Sequence, residues 1–579
     1  MPTPSSRGER VLSSLHAHVT LRQPHCAGAA IAASAAAQQA EPAVVVDVFF
    51  DYNSADAYLG LDAIAELEHD YHVKLNWVPF RVREPEFGLC GADGEPDVSA
   101  ARPHWQRKHP QLWREAKEYA ELRGLALKGM PVMQDTATAL LGMLWVAEHS
   151  RHSLPAYHAV VFDAVWGASS GSVDIAATAT VEGFLAGSGC VGPFHTFRAF
   201  LSRGVDEGLL DKIDADAKQS PGVFGVPTLH YDGGTESETK KPVERLYVKE
   251  VALSLLRHRL HADGLARAER SPSPDVPFAR RTLEAVSGSL PPPQQPPKVI
   301  TAYVDLKSPY AFLALEPMAE LEREFNVVID WLPFTLDIPS YLGSARVGKT
   351  DNVVKAGSAD RSPAQWNAVR YAYMDCRRYG TRRQPEPLTI FGTEKIWDSS
   401  LAAIAMLWVR RLAMAKGVAP LARAEMWASY NEAAWPTFWK RELDIDDPAV
   451  LENVIRAAGL PADGFAAYIA EGVSTQAPPA PLSHLDRTRM VLRACLCCQG
   501  EGRAEFESVL REAIEERGVF GVPTFCADLR SEDESGVGEE LSTYWGREHL
   551  NLIRLRLYEQ GYAKQAGVVV DAPHVWVSR

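Results

Sequence analysis

The heptapeptide Gly222-Val223-Phe224-Gly225-Val226-Pro227-Thr228 recurs letter for letter as Gly518-Val519-Phe520-Gly521-Val522-Pro523-Thr524. It closes a series of landmarks that the chain runs through twice in one order. Val44-Val45-Val46-Asp47-Val48-Phe49-Phe50 and Val299-Ile300-Thr301-Ala302-Tyr303-Val304 are strand-like openings, followed by Asp51-Tyr52-Asn53-Ser54 and Asp305-Leu306-Lys307-Ser308. A helical pattern ending in Ala-Glu-Leu-Glu (65–68 and 319–322) leads to a second strand, Leu75–Phe80 or Ile329–Phe334. Met143-Leu144-Trp145-Val146 then matches Met406-Leu407-Trp408-Val409, with Asp135 and Asp398 each eight residues earlier. Landmarks repeated in order mean one structural plan built twice.

The spacing between copies refines the plan. Ser54 to Ser308 is 254 residues, Met143 to Met406 is 263, and Gly222 to Gly518 is 296, so copy two carries 33 more residues between its last two landmarks. That piece is expected near 477–509, where Cys495, Cys497 and Cys498 crowd together. Strands alternating with helices indicate an α/β sheet, and the long helical stretch between the second strand and Val-Pro reads as an inserted subdomain. The domains expected are 43–263 and 298–565, joined by a Pro-rich linker at 264–297 that ends in Pro291-Pro292-Pro293-Gln294-Gln295-Pro296-Pro297. Such a run favours extended polyproline structure and serves as a spacer.

Residues 1–42 carry Arg7, Arg10, Arg22 and five serines against only Glu9 and Glu41. That composition reads as an organellar presequence, pointing to the mitochondrion, with a disordered tail on a cytoplasmic protein as the alternative. Residues 566–579 form a tail without a peroxisomal or reticulum signal. The net charge of −14 and the lack of a basic run argue against a nucleic-acid partner, and no run of eighteen apolar residues suggests a membrane span. Eight cysteines in 579 residues are too few for a disulfide scaffold and fit free thiols in a reducing compartment.

Ser308 precedes Pro309 at the expected start of a helix, the usual place for a capping serine. The same position allows a second role: free N–H groups and the positive end of the helix stabilise a nearby thiolate, to which a hydroxyl donates a further bond. Val-Pro before a strand is the other candidate. A proline there gives nothing to the ladder, and a cis bond would turn the preceding peptide outward toward an extended ligand. A capping serine and an ordinary turn are the plain alternatives. No metal is expected: the Cys495–Cys498 cluster lacks a partner pair at familiar spacing. Cys526, three residues past Pro523, reads as a buried strand cysteine.

Ser308-Pro309-Tyr310-Ala311-Phe312-Leu313, the Gly-Val-Phe-Gly-Val-Pro-Thr-Phe run at 518–525 and Trp545-Gly546-Arg547-Glu548-His549 together resemble the DsbA-like thioredoxin superfamily. Within it they are most similar to the kappa-class glutathione transferases and the 2-hydroxychromene-2-carboxylate isomerases. The resemblance covers both copies and implies tandem thioredoxin-like domains, each with a helical insertion, binding glutathione. It implies that Ser308 hydrogen-bonds the glutathione sulfur and that Val522, beside cis Pro523, pairs with the tripeptide backbone. It also implies that Arg547 and Glu548 stand at the turn holding the γ-glutamyl end. Glu548 and His549 replace the family's usual Asp and Arg, and its Asn/Lys pair has no match after Pro333-Phe334.

In copy one Ser54, Val226 and Pro227 keep their places, but Ala55-Asp56-Ala57 replaces Pro-Tyr-Ala, and an acid beside a thiolate opposes its ionisation. The final turn, Leu246-Tyr247-Val248-Lys249-Glu250, has lost its glycine, so copy two is expected to be the working site. The activity expected is glutathione-dependent transfer or isomerisation on a small apolar or aromatic electrophile, in a monomer whose two copies mimic a dimer. The alternatives are a non-catalytic module binding a peptide or protein, and a thiol-disulfide oxidoreductase. The last would need a Cys-x-x-Cys at the first helix start, where neither copy has a cysteine.

Overall fold

A computed structural model describes residues 44–82, 103–128, 134–168, 170, 173–190, 195–202, 207–233, 245–248, 252–270, 272, 296–336, 338, 345–347, 354–359, 363–381, 386–392, 397–470, 500–529 and 542–564. The expected presequence and tail, linker residues 273–295 and the Cys495–Cys498 cluster lie outside the described residues. Two compact units emerge, residues 1–99 with 113–276 and residues 100–112 with 277–579.

In the first unit β1 (Val44–Phe50) passes through α1 (Ala55–Asp70) into β2 (Val73–Pro79). Then come the helices α2 (Pro103–Leu122), α3 (Ala137–His149), α4 (Leu154–Val165), α5 (Thr178–Gly187), α6 (His195–Ser202) and α7 (Glu207–Gln219), and last β3 (Thr228–His230), β4 (Leu246–Val248) and α8 (Leu253–Ala262). The sheet order is β2-β1-β3-β4. β1 and β2 are parallel, as a helical crossover requires, while β3 runs antiparallel to both β1 and β4. A run of β-branched and aromatic residues, buried from Val48 to Phe50, makes β1 an inner strand of the sheet.

The second unit repeats this plan. It contains β5 (Lys298–Val304), α9 (Pro309–Glu324) and β6 (Val327–Pro333), then a ribbon of β7 (Ala345–Val347) and β8 (Val354–Ala359). The helices α10 (Pro363–Gly380), α11 (Ser400–Ala413), α12 (Pro420–Trp439), α13 (Pro448–Ala457), α14 (Phe465–Ala470) and α15 (Glu501–Arg511) follow. β9 (Thr524–Ala527), β10 (Ser542–Trp545) and α16 (Leu550–Glu559) complete it. Its sheet runs β6-β5-β9-β10, with β5 and β6 parallel and the remaining pairs antiparallel. Each unit is therefore a thioredoxin-like α/β sheet with a helical subdomain between its parallel and antiparallel halves. α15 stands before the second Val-Pro as α7 stands before the first, so residues 501–509 belong to the shared plan rather than to the extra piece expected at 477–509. The extra residues precede 501.

The repetition extends to single hydrogen bonds. Glu68 Oε1 accepts from Leu75 N–H at 2.7 Å and Glu322 Oε1 from Ile329 N–H at 2.9 Å, tying each crossover helix to the strand it feeds. Buried Asp51 accepts from Val82 N–H at 2.6 Å, and buried Asp305 from Leu336 N–H at 2.8 Å. Each aspartate thus clamps the turn after the first strand to the segment leaving the second. Tyr58 lies against Phe162, and its counterpart Phe312 stacks on Trp435 and Trp439, so the same helix face meets the helical subdomain in each unit. No helix among the described residues is long and apolar enough to cross a membrane.

In each unit an arginine–aspartate pair ties the second strand or the segment leaving it to a helix. Arg81 donates through its backbone N and Nε to Asp214 of α7 at 3.0 and 3.1 Å. Arg410 of α11 grips Asp330 of β6 with two bonds of 2.7 and 2.8 Å. Losing one partner strands a carboxylate within a strand whose every residue is buried. Arg410→Ala is expected to cost about 2–3 kcal/mol, with Arg410→Met plus Asp330→Leu recovering most of it. Urea unfolding of both variants checks this; an unchanged midpoint in Arg410→Ala contradicts it.

Candidate functional site

Ser308 is the N-cap of α9, with extended backbone (φ −88°, ψ 115°), and its Oγ accepts from Ala311 N–H at 3.2 Å. Pro309 takes the first helical position, where no N–H is needed. The capping reading is therefore correct, and it is half of the geometry. The serine hydroxyl also points across to the last hairpin and donates to Val522 C=O at 3.4 Å. Val522–Pro523 is a cis peptide, and Pro523 leads directly into β9. Among the described residues the Val522 N–H has no partner. A peptide unit with one free donor and one weakly held acceptor suits an extended ligand.

The turn after β10 packs onto this loop. Gly546 N–H donates to Pro523 C=O at 3.0 Å, Phe520 lies 4.9 Å from the Trp545 ring, and the Trp545 indole covers Gly521 where any side chain would collide with it. Gly546 has φ +122°, and the Glu548 carboxylate folds back over its Cα. Ser308, Val522, Pro523 and the Gly546–Glu548 turn are thus brought together by three segments far apart in sequence.

Arg547 is the exception. Its side chain leaves the turn and lies over Tyr379 of α10, 3.7 Å from the ring centroid. Next to it is a polar group centred on Asp375, which no local sequence signal marks. Tyr310 of α9 donates to Asp375 Oδ2 at 2.9 Å, and Tyr371 to Asp375 Oδ1 at 3.4 Å. Burial raises the Asp375 pKa, opposed by the charges of Arg378 and Arg547. The neighbouring Cys376 is fully buried and its thiol is held well above the usual range by burial, so it is inert. Cys526 is a buried strand cysteine facing Thr543.

The first unit keeps the serine and loses its surroundings. Ser54 caps α1 through Ala57 N–H at 3.2 Å and donates to Val226 C=O at 3.5 Å, beside a cis Val226–Pro227 bond. Register places Val248 opposite Thr228 where Trp545 stands opposite Thr524. Among the described residues nothing covers Gly225, and Asp56, at the place of Tyr310, is buried. Lys249 and Glu250 lie outside the described residues.

Residues 45–246, within the first unit, match the family model for the DSBA-like thioredoxin domain. Among solved structures, a 2-hydroxychromene-2-carboxylate isomerase shares 19% identity at a TM-score of 0.27, over 38% of this chain and 95% of that one. A candidate protein disulfide isomerase from Nitrosomonas europaea shares 17% at a TM-score of 0.28, over 38% and 97%. No curated protein sequence matches the chain.

Two buried groups near the first serine titrate in opposite senses. Burial pushes the Asp51 carboxyl up from 3.8 to about 6 and the His158 imidazole, bonded to Tyr52, down from 6.5 to about 3. The folded state holds the Asp51 proton more tightly, so its contribution is complete below pH 3.8 and lost as pH rises through 6. The unfolded state holds the His158 proton more tightly, so stability falls as pH drops below 6.5 and levels off near 3. Between those limits the two slopes oppose each other. Asp51→Asn, measured against wild type by urea unfolding, is expected to gain about 2 kcal/mol on going from pH 4 to pH 8. A stability difference independent of pH contradicts the assignment.

Proposed function

We propose that the second unit binds glutathione with its sulfur at Ser308 and its backbone along Val522, and uses the thiolate as a nucleophile in transfer or isomerisation on a small electrophile. The observation that carries this is the Ser308 hydroxyl, held at the N-terminus of α9 and spending its hydrogen on a 3.4 Å contact with Val522 C=O. A bond that long is readily given up, and the hydrogen turns to a sulfur anion at little cost. The helix end favours the same charge. The thiolate then adds to the electrophile, either for good as a transferase or reversibly so that a bond rotates before the thiol leaves.

The free Val522 N–H supports an extended peptide, and the Gly546 turn, bonded to Pro523, closes the other end of the groove. Disulfide exchange is the weaker reading, because Ser308 and Ala311 stand where a cysteine pair is needed. The first unit keeps the serine contact without Trp545, Gly546 or Tyr310 counterparts and serves as a scaffold. The compartment that supplies the tripeptide is proposed to be the mitochondrion, on the composition of residues 1–42.

Calorimetry with glutathione, combined with thiolate absorbance near 240 nm, tests the proposal. Wild type and Ser54→Ala are expected to bind one tripeptide with its thiol pKa lowered by about one unit or more, and Ser308→Ala to lose that shift. Absence of binding at millimolar glutathione, or an unchanged shift in Ser308→Ala, refutes it.

A further inference from the structure

The turn that carries the serine is fastened to the helical subdomain in one unit and not in the other. In the first unit three side chains hold residues 51–54. Trp166, at the end of α4, donates through Nε1 to Tyr52 C=O at 2.7 Å, and the Thr136 hydroxyl, at the cap of α3, donates to the Asp51 carboxylate. Asn53 pairs with the backbone of Gln134, donating to its C=O at 2.8 Å and accepting from its N–H at 3.2 Å. The second unit has the same surroundings at residues 305–308. Trp439 C=O accepts from Phe391 N–H at 3.0 Å as Trp166 C=O does from Lys128 N–H at 3.1 Å. Asp398 accepts from Ser400 N–H at 2.9 Å as Asp135 does from Ala137 N–H at 3.0 Å. These shared bonds put Trp439 at the place of Trp166, and Ser399, the cap of α11, at the place of Thr136.

The ties themselves are missing there. Trp439 Nε1 and the hydroxyls of Ser399 and Ser400 are buried and have no hydrogen-bond partner among the described residues. Lys307, at the place of Asn53, reaches instead to Leu336 C=O at 3.4 Å, in the segment leaving β6. α11 is anchored toward its other end, where Arg410 grips Asp330, and Tyr310 secures the helix after the turn to Asp375 of α10. We infer that the second unit opens at Ser308: the turn 305–308 parts from the ends of α11 and α12, a motion that the ties of the first unit prevent. Parting breaks four side-chain hydrogen bonds in the first unit, whereas in the second it gives three buried donors access to water. A buried donor without an acceptor is destabilising, so the closed arrangement of the second unit is held less firmly. The opening exposes the serine proposed to meet a sulfur, but it does not depend on that reading.

The duplication supplies its own control. Hydrogen–deuterium exchange on the full chain, read at single amides, compares Ser308 N–H, bonded to Asp305 C=O at 2.8 Å, with Ser54 N–H, bonded to Asp51 C=O at 3.1 Å. The protection of each is scaled to a fully buried amide at the same register of its own inner strand, Ala302 or Val48, which removes any difference in overall stability between the units. Scaled in this way, Ser308 is expected to exchange about tenfold or more faster than Ser54, although its backbone bond is the shorter. Lys307→Asn with Ser399→Thr, which restores the first unit's residues at two of the ties, is expected to slow Ser308 toward the Ser54 rate and leave Ala302 unchanged. Asn53→Ala is expected to speed Ser54 and leave Val48 unchanged, and it tests the ties even where the double variant fails to fold. Equal scaled protection of the two serines in wild type, an unmoved Ser308 rate in a folded double variant, or an unmoved Ser54 rate in Asn53→Ala overturns the inference.

Discussion

The antiparallel ladder between the first strand and the strand after Val-Pro joins the two halves of each sheet, and it sets a serine hydroxyl at a helix N-cap against the carbonyl before a cis proline. The contact measures 3.5 Å between Ser54 and Val226 and 3.4 Å between Ser308 and Val522. The cap fixes where the crossover helix starts and the proline fixes where the antiparallel hairpin begins. The helical subdomain must therefore leave and return so that both ends meet. In the second unit Gly546 N–H extends the chain of contacts to Pro523, carrying it to the last strand and the turn beyond. Everything proposed for function lies along that series of contacts.

The two units show how a frame outlasts its fittings. Asp51 and Asp305 clamp the same turn, Glu68 and Glu322 tie the same helix to the same strand, and both valines precede a cis proline. These interactions hold the sheet together. What differs lies beyond the frame: Trp545 over Gly521 against a Gly225 that no described residue covers, and Tyr310 paired with Asp375 against a buried Asp56. The first unit retains what folding needs, and the second adds the Trp545 cover and the Tyr310–Asp375 pair.

The sequence made the frame legible because its signals are local. Ser followed by Pro and an apolar-periodic run fixes a capped helix; a β-branched run fixes a strand; Val-Pro-Thr fixes a turn into the hairpin. The repeated order of those signals also specified the shared sheet plan. Placement of the helical subdomain against the sheet was not legible, since periodicity says which face of α10 is buried but not what it meets. Tyr379 reads from the sequence as a core aromatic, and neither its contact with Arg547 nor that of Asp375 with Tyr310 follows from periodicity. The same limit put the Arg547 side chain at the turn, when its long stem carries the charge across to α10. The boundary of the extra piece was drawn into α15 because sequence offsets locate an insertion only between landmarks.

A crystal structure of the chain with S-methylglutathione bound tests the account most directly, because it locates the sulfur rather than inferring it. The account predicts the sulfur within hydrogen-bond reach of Ser308 Oγ, about 3.5 Å, with the tripeptide backbone paired to Val522 N–H and the Ser54 site empty. A sulfur bound at Ser54, or a tripeptide lying away from Val522, would contradict it.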